Sequence, residues 1–100
     1  MLFRSLSKLK ELVAGQNLIS ELTPLSALAT LEQLDVRRNE IYSLDALGPL
    51  RNLRELHIDT NAVSDLSALA EQISLEYLNL ANNDIVDVSP LANQIGRAHV

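Results

Sequence analysis

A 22-residue period runs through the chain and constrains its fold more than any other feature. Counted in steps of 22 from Leu9, six positions of the repeat are apolar in all four copies, and a seventh position is always Asn. Such a chain stacks equivalent segments side by side, so that each repeat contacts only its neighbours. The apolar positions are Leu9, Leu31, Leu53 and Leu75; Leu12, Leu34, Leu56 and Leu78; Ala14, Val36, Ile58 and Leu80; Ile19, Ile41, Val63 and Ile85; Leu22, Leu44, Leu66 and Val88; and Leu25, Leu47, Leu69 and Leu91.

The spacing within one repeat predicts two kinds of local structure. The leading segment L-x-x-L-x-L alternates apolar and polar residues at its end, as a half-buried strand does. One strand per repeat, stacked about 4.8 Å from the next, makes a parallel sheet. The later segment I-x-x-L-x-x-L spaces its apolar residues by three, which favours a 3₁₀ turn or a short helix on the opposite, convex side.

The invariant Asn follows each predicted strand, where the chain has to turn away from the sheet. A side-chain amide at this point can pair with turn backbone groups that would otherwise be buried without partners. We therefore predict that one residue per repeat forms a structural ladder, made of Asn17, Asn39, Asn61 and Asn83.

The pattern resembles the leucine-rich repeat family, and most closely its 22-residue internalin-like class. The fourth repeat carries the signature as NDIVDVSPL, residues 83–91, and the first echoes it as NLISELTPL, residues 17–25. The resemblance implies an α/β solenoid, a fragment of a leucine-rich repeat horseshoe with a concave parallel sheet and convex 3₁₀ or short-helix turns. Its repeats are residues 9–30, 31–52, 53–74 and a truncated 75–94. Gln72 and Gln94 depart from the pattern, because Leu28 and Leu50 stand at the equivalent position.

Composition excludes several classes of function. The chain has no Cys, which rules out disulfides, thiol chemistry and Cys-ligated metal sites. Eight basic residues against thirteen acidic ones give a net charge of −5, which disfavours nucleic-acid binding. No apolar stretch is long enough for membrane insertion, and only three glycines are present, with no glycine-rich phosphate loop. We expect no cofactor, no metal site and no catalytic residues in this chain.

The two ends break the repeat. Residues 1–5 and 95–100 can be back-translated into one nucleotide string and its reverse complement, and that string looks like a common sequencing adapter. We therefore expect residues 1–5 and 95–100 not to be native, and the repeat array to span residues 6–94. The alternative is a natural, irregular end, and the nucleotide record decides between them. We also expect apolar edges at both ends of the array, around Leu9, Leu12 and Ala14 and around Leu78, Leu80 and Ile85.

The exposed side of the predicted sheet is the candidate binding surface, and we call it the concave face. Its positions vary between repeats although the buried positions hardly do, and residues that packing does not fix are free to contact a ligand. Tyr77 belongs to a residue type enriched at binding hot spots, whereas one His between carboxylates on an open sheet is weak support for metal binding or catalysis. The predicted partner-binding residues are Gln33, Asp35, Arg37, Glu55, His57, Asp59, Tyr77 and Asn79.

The predicted function is that of a protein–protein interaction module rather than an enzyme, because this scaffold serves many partners. The resemblance to internalins implies a bacterial surface or secreted protein that binds a protein partner through the concave face. Two alternatives stay open: an intracellular scaffold that regulates an enzyme, and the recognition domain of an enzyme whose catalytic part lies elsewhere. An export signal, its absence or an attached catalytic domain in the complete gene would distinguish the three.

Overall fold

The computed structural model describes residues 9–70, 72, 74–94 and 98–99. It shows one parallel sheet in which the strands stand in sequence order. The strands are β1 (Glu11–Val13), β2 (Gln33–Asp35), β3 (Glu55–His57), β4 (Tyr77–Asn79) and β5 (Ala98–His99). Each of the first four repeats also contributes one 3₁₀ helix, at Thr23–Ala27, Asp45–Leu47, Ser67–Leu69 and Ser89–Gln94. The predicted parallel sheet with 3₁₀ turns is therefore confirmed.

The register of the sheet follows the sequence period. Leu12 of β1 lies beside Leu34 of β2, which lies beside Leu56 and then Leu78. The pairing of β4 with β5 departs from this 22-residue spacing, since Leu78 pairs with Ala98, only 20 residues further on. Because β5 belongs to the segment that departs from the repeat, this change of step is the structural counterpart of the break in the sequence.

The core fills the space between the sheet and the 3₁₀ helices. Nearly every apolar position of the second and third repeats is buried completely, and Leu34, Val36 and Leu56 have no exposed surface. Leu78 and Leu80, which were expected at a C-terminal apolar edge of residues 6–94, are 0% and 3% exposed in the chain that includes β5, and Ile85 is half-buried.

Val88 and Gln72 differ from the residues at the equivalent positions of the other repeats. Val88 is 56% exposed, whereas Leu44 and Leu66 at the equivalent position are 1% exposed. Gln72 is fully buried, and its side-chain Nε2 donates a 2.8 Å hydrogen bond to the carbonyl oxygen of Leu47. The amide therefore replaces the Leu of the other repeats without leaving its nitrogen unpaired.

Three of the 3₁₀ helices begin beside a side-chain oxygen that accepts a hydrogen bond from the first backbone N–H of the helix. Asp65 Oδ1 accepts a 2.9 Å hydrogen bond from the backbone N–H of Ser67, and Asp87 Oδ1 does the same for Ser89. In the second repeat the Ser43 hydroxyl accepts one from the N–H of Asp45. Side-chain oxygens here satisfy N–H groups that the first turn of a helix leaves without backbone partners.

Residues 1–8, 71, 73, 95–97 and 100 lie outside the described residues, as does the side chain of Gln94. The predicted origin of residues 1–5 and 95–100 stays a prediction.

Candidate functional site

The strand register brings the predicted partner-binding residues into rows across the sheet. Gln33, Glu55 and Tyr77 are direct neighbours in one row, which begins at Glu11. Asp35, His57 and Asn79 form the second row, which begins at Val13. Because alternate residues of a strand point to opposite faces, both rows lie opposite the buried Leu row. All eight predicted residues are half-buried or exposed.

Arg37 is held against Asp35 on this face. Its Nε donates a 2.9 Å hydrogen bond to Asp35 Oδ1, and one terminal nitrogen donates a 2.9 Å hydrogen bond to Asp35 Oδ2. Burial acts to raise the pKa of the Asp35 carboxyl, but the side-chain and backbone hydrogen bonds from Arg37 outweigh it and lower that pKa. The same carboxylate raises the pKa of Arg37. The guanidinium is therefore fixed in place, in a forked geometry that a lysine cannot reproduce.

Gly15 makes room for this arrangement. A Cβ atom at Gly15 would lie 3.1 Å from the carbonyl oxygen of Arg37 and 3.3 Å from its Cγ. The Arg37 side chain thus passes directly over the glycine of the preceding repeat on its way back to Asp35. A larger residue at Gly15 would push this side chain away from the sheet.

His57 and Tyr77 form an aromatic pair beside the Asp35–Arg37 pair. Their ring centroids are 4.8 Å apart with the planes tilted by 34°, within the range of favourable aromatic contacts. A terminal nitrogen of Arg37 lies 3.4 Å from His57 Nδ1. Four predicted residues, Asp35, Arg37, His57 and Tyr77, therefore form a continuous group across β2, β3 and β4.

Asp35 and Asn79 also stabilise the turns that follow their strands. Asp35 Oδ1 accepts a hydrogen bond from the backbone N–H of Arg37, and Asn79 Oδ1 accepts one from the N–H of Ala81. Asp59 has a buried Oδ1 that accepts no hydrogen bond from the described residues. Asp35 and Asn79 are therefore partly committed to the fold.

A depression of about 300 Å³ lies at one edge of the concave face, and half of its lining residues were not predicted from the sequence. Glu32, Arg54 and Glu76 stand one residue before each strand, and they line it together with the predicted Gln33, Glu55 and Tyr77. Arg54 donates hydrogen bonds of 3.1 and 3.2 Å to the two carboxylate oxygens of Glu76. The alternation of charged residues at 32, 54 and 76 was the sequence signal that could have identified this row.

The Asn side chains lie behind the strands and connect neighbouring repeats. Asn39 Nδ2 donates to the carbonyl oxygens of Val36 and of Ala14, while its Oδ1 accepts from the N–H of Ile19. Asn61 and Asn83 have equivalent partners. Asn17 is exposed, and its described side-chain hydrogen bonds stay within its own repeat.

Comparison with known proteins agrees with this geometry. A sequence profile described as Leucine Rich Repeat matches residues 74–95. The crystal structure of internalin C2 from Listeria monocytogenes superimposes on the chain with a TM-score of 0.90 and 36% sequence identity, over 98% of this chain and 43% of that chain. The chain has the leucine-rich repeat fold and is similar to the internalins.

Two further structures support the same assignment at different levels. Internalin F from Listeria monocytogenes matches the internalin-like array with 33% identity and a TM-score of 0.88, over 91% of this chain and 27% of that chain. A leucine-rich repeat protein of Leptospira interrogans matches with 23% identity and a TM-score of 0.78, over 91% and 24%, and shows the fold alone. The array spans less than half of the length of the internalin structures that it matches. A search of curated protein sequences gave no match.

Two features are absent from the described residues. No three His, Cys, Asp or Glu side chains lie close enough together there to hold a metal ion. Within the same residues, no helix has the length and apolar character needed to cross a bilayer.

Proposed function

We propose that the internalin-like array is a protein-interaction module that binds a partner protein through its concave face, and that it belongs to a bacterial surface or secreted protein. Leucine-rich repeat arrays generally bind proteins, and the structural relatives from Listeria support the bacterial assignment. The array acts by recognition, without a catalytic step of its own.

The observation that carries the proposal is the group formed by Asp35, Arg37, His57 and Tyr77. It spans three strands, combines an aromatic pair with a fixed guanidinium, and lies on a face that the core does not use. Tyr and Arg are enriched among residues that dominate binding energy, because they offer large contact areas with directed polar groups. The Arg37 side chain is already ordered by Asp35, so that binding would cost little of its conformational entropy.

An alanine scan against a captured partner tests the proposal. The immobilised 100-residue chain is used to capture proteins from cell extracts, and each captured protein is then titrated by calorimetry against purified variants. Tyr77→Ala and His57→Ala should weaken binding by roughly tenfold or more if the pair is a hot spot.

Ser67→Ala is the matched control, because Ser67 is exposed and begins the convex 3₁₀ helix of the third repeat. It should leave affinity unchanged within about twofold. Larger losses for convex variants than for Tyr77→Ala would show that the partner binds elsewhere and would reject the concave face as the site.

A further inference from the structure

The residues that line the depression between Glu32 and Tyr77 carry more negative than positive charge. Its wall holds three carboxylates, from Glu32, Glu55 and Glu76, against one guanidinium, from Arg54, which leaves a net charge of −2. Arg54 is bound by Glu76. Among the described residues neither Glu32 nor Glu55 forms an ion pair.

Electrostatics show that the remaining carboxylates lie near this guanidinium. The hydrogen bond from Glu76 is the largest cause of the raised pKa of Arg54, and the charges of Glu32 and Glu55 add to it. A second cation entering the depression would meet the carboxylates of Glu32 and Glu55, which act on Arg54 only through their charge and form no ion pair among the described residues. An anionic group would meet their repulsion instead.

The depression also has an aromatic wall. Tyr77 lies directly beside Glu55 in the strand register and lines the same depression. The ring is positioned by its contact with His57. A guanidinium or ammonium group on the face of a tyrosine gains a cation–π interaction, which is strongest when the cation also contacts carboxylates and is shielded from water.

From this combination we infer that the concave face recognises a basic protein segment and that the depression takes one of its Arg or Lys side chains, between Glu32, Glu55 and the ring of Tyr77. The inference rests on the proposed function and adds the chemistry of the partner to it. A bare metal ion is a poorer occupant, because no three His, Cys, Asp or Glu side chains of the described residues lie close enough to hold one.

Selection of binding peptides tests the inference on the full 100-residue chain. The probe is a library of random 12-residue peptides displayed on phage, and enriched peptides are then synthesised and titrated. We expect them to be rich in Arg and Lys. Glu32→Gln combined with Glu55→Gln should weaken their binding by roughly three- to tenfold, and exchange of the key Arg of a peptide for neutral citrulline should weaken it comparably.

Glu21→Gln combined with Glu40→Gln is the matched control, because it removes the same charge from exposed side chains outside the concave face. It should leave the affinity unchanged within about twofold, which separates local recognition from the effect of net charge.

The outcomes separate the inference from the proposed function. Uncharged or acidic peptides that lose binding with Tyr77→Ala would overturn the inference and leave the concave face as the binding site. Peptides insensitive to Tyr77→Ala and to the Glu32, Glu55 variant would count against both. If no peptide were enriched on the parent chain relative to the variant with Glu32→Gln and Glu55→Gln, the inference would be overturned and the proposed function would stand.

Discussion

Asn61 Nδ2 donates a 3.1 Å hydrogen bond to the carbonyl oxygen of Val36, which lies 25 residues earlier in the preceding repeat. The Oδ1 atom of Asn61 accepts a 3.0 Å hydrogen bond from the N–H of Ile41, also in that repeat. Each internal Asn therefore fastens its own repeat to the one before it. An internal Asn should therefore contribute more to stability than Asn17, whose described side-chain hydrogen bonds stay within its own repeat.

Replacement of Asn61 with Ala should lower the free energy of unfolding by about 1–3 kcal/mol. The change removes the amide that pairs with Val36 and Ile58 carbonyls and leaves the N–H of Ile41 without its acceptor. Buried backbone groups without partners cost that order of free energy. Urea denaturation followed by circular dichroism measures the loss.

Asn17→Ala is the control, because the described side-chain hydrogen bonds of Asn17 stay within the first repeat and its side chain is exposed. It should cost clearly less than Asn61→Ala. Equal losses for the two variants would contradict the view that the ladder acts by joining repeats.

Replacement of Thr60 with Asn should stabilise the protein. Thr60 has a φ of 59°, and the same left-handed conformation recurs at Gln16, Arg38 and Asn82. This conformation costs an ordinary residue roughly 1–2 kcal/mol, is worst for β-branched residues, and is tolerated best by Gly and Asn. We expect Thr60→Asn to raise the free energy of unfolding by about 0.5–1 kcal/mol, a part of that cost.

The reverse exchange, Asn82→Thr, provides the comparison at the equivalent position of the next repeat. It should lower the unfolding midpoint by a similar amount in thermal denaturation. A stabilising effect of both exchanges, or of neither, would show that backbone strain at this position does not control stability.

Acid should destabilise the fold in part through the two Asp residues that precede convex helices. The hydrogen bond from the Ser67 backbone N–H is the largest cause of the lowered pKa of Asp65, and Ser89 acts in the same way on Asp87. Because their folded-state pKa lies below the unfolded value, their contribution is present above about pH 4 and is lost as the pH falls through the folded pKa.

Asp65→Asn combined with Asp87→Asn tests this assignment, since Asn keeps an acceptor oxygen but does not titrate in this range. Urea midpoints measured from pH 6 down to pH 2 should fall less steeply for this variant than for the parent. Identical slopes would mean that other carboxylates, such as Asp35, account for the acid sensitivity.

Replacement of Ala14 with Val should stabilise the first repeat. Ala14 lines an apolar depression of about 310 Å³ together with Leu12, Ile19 and Leu25, and it occupies the position at which Val36 is fully buried. Two added carbon atoms that become partly buried should raise the free energy of unfolding by about 1 kcal/mol.

Ala81→Val is the control, because Ala81 is half-buried after β4 and does not belong to the hydrophobic core. Its effect should stay within about 0.5 kcal/mol. If Ala14→Val destabilised the protein, the added methyl groups would be overpacked and the depression would not persist in solution.

Particular residues show how much of the site could be predicted. Tyr77 and His57 were assigned to the concave face because their positions alternate with buried Leu56 and Leu78, and the strand register makes them neighbours. The Arg54–Glu76 pair was missed, because both residues precede their strands and fall outside the alternation that defines a face. The left-handed φ at Arg38 and Thr60 was also missed, since neither residue type indicates it.

The sequence by itself determined the fold, its period and the side on which each repeated position lies. A 22-residue repeat imposes the same local conformation each time, and burial keeps the apolar positions apolar, so the pattern is visible in the residues alone. The tertiary structure decided which polar side chains meet. Gln72 reaches Leu47, and Arg37 turns back to Asp35 while one of its terminal nitrogens also lies beside His57 of the next repeat. These pairings depend on rotamers and on neighbours one repeat away, which periodicity does not record. The 20-residue spacing between β4 and β5 likewise came from the structure alone, because the 22-residue repeat does not extend to β5.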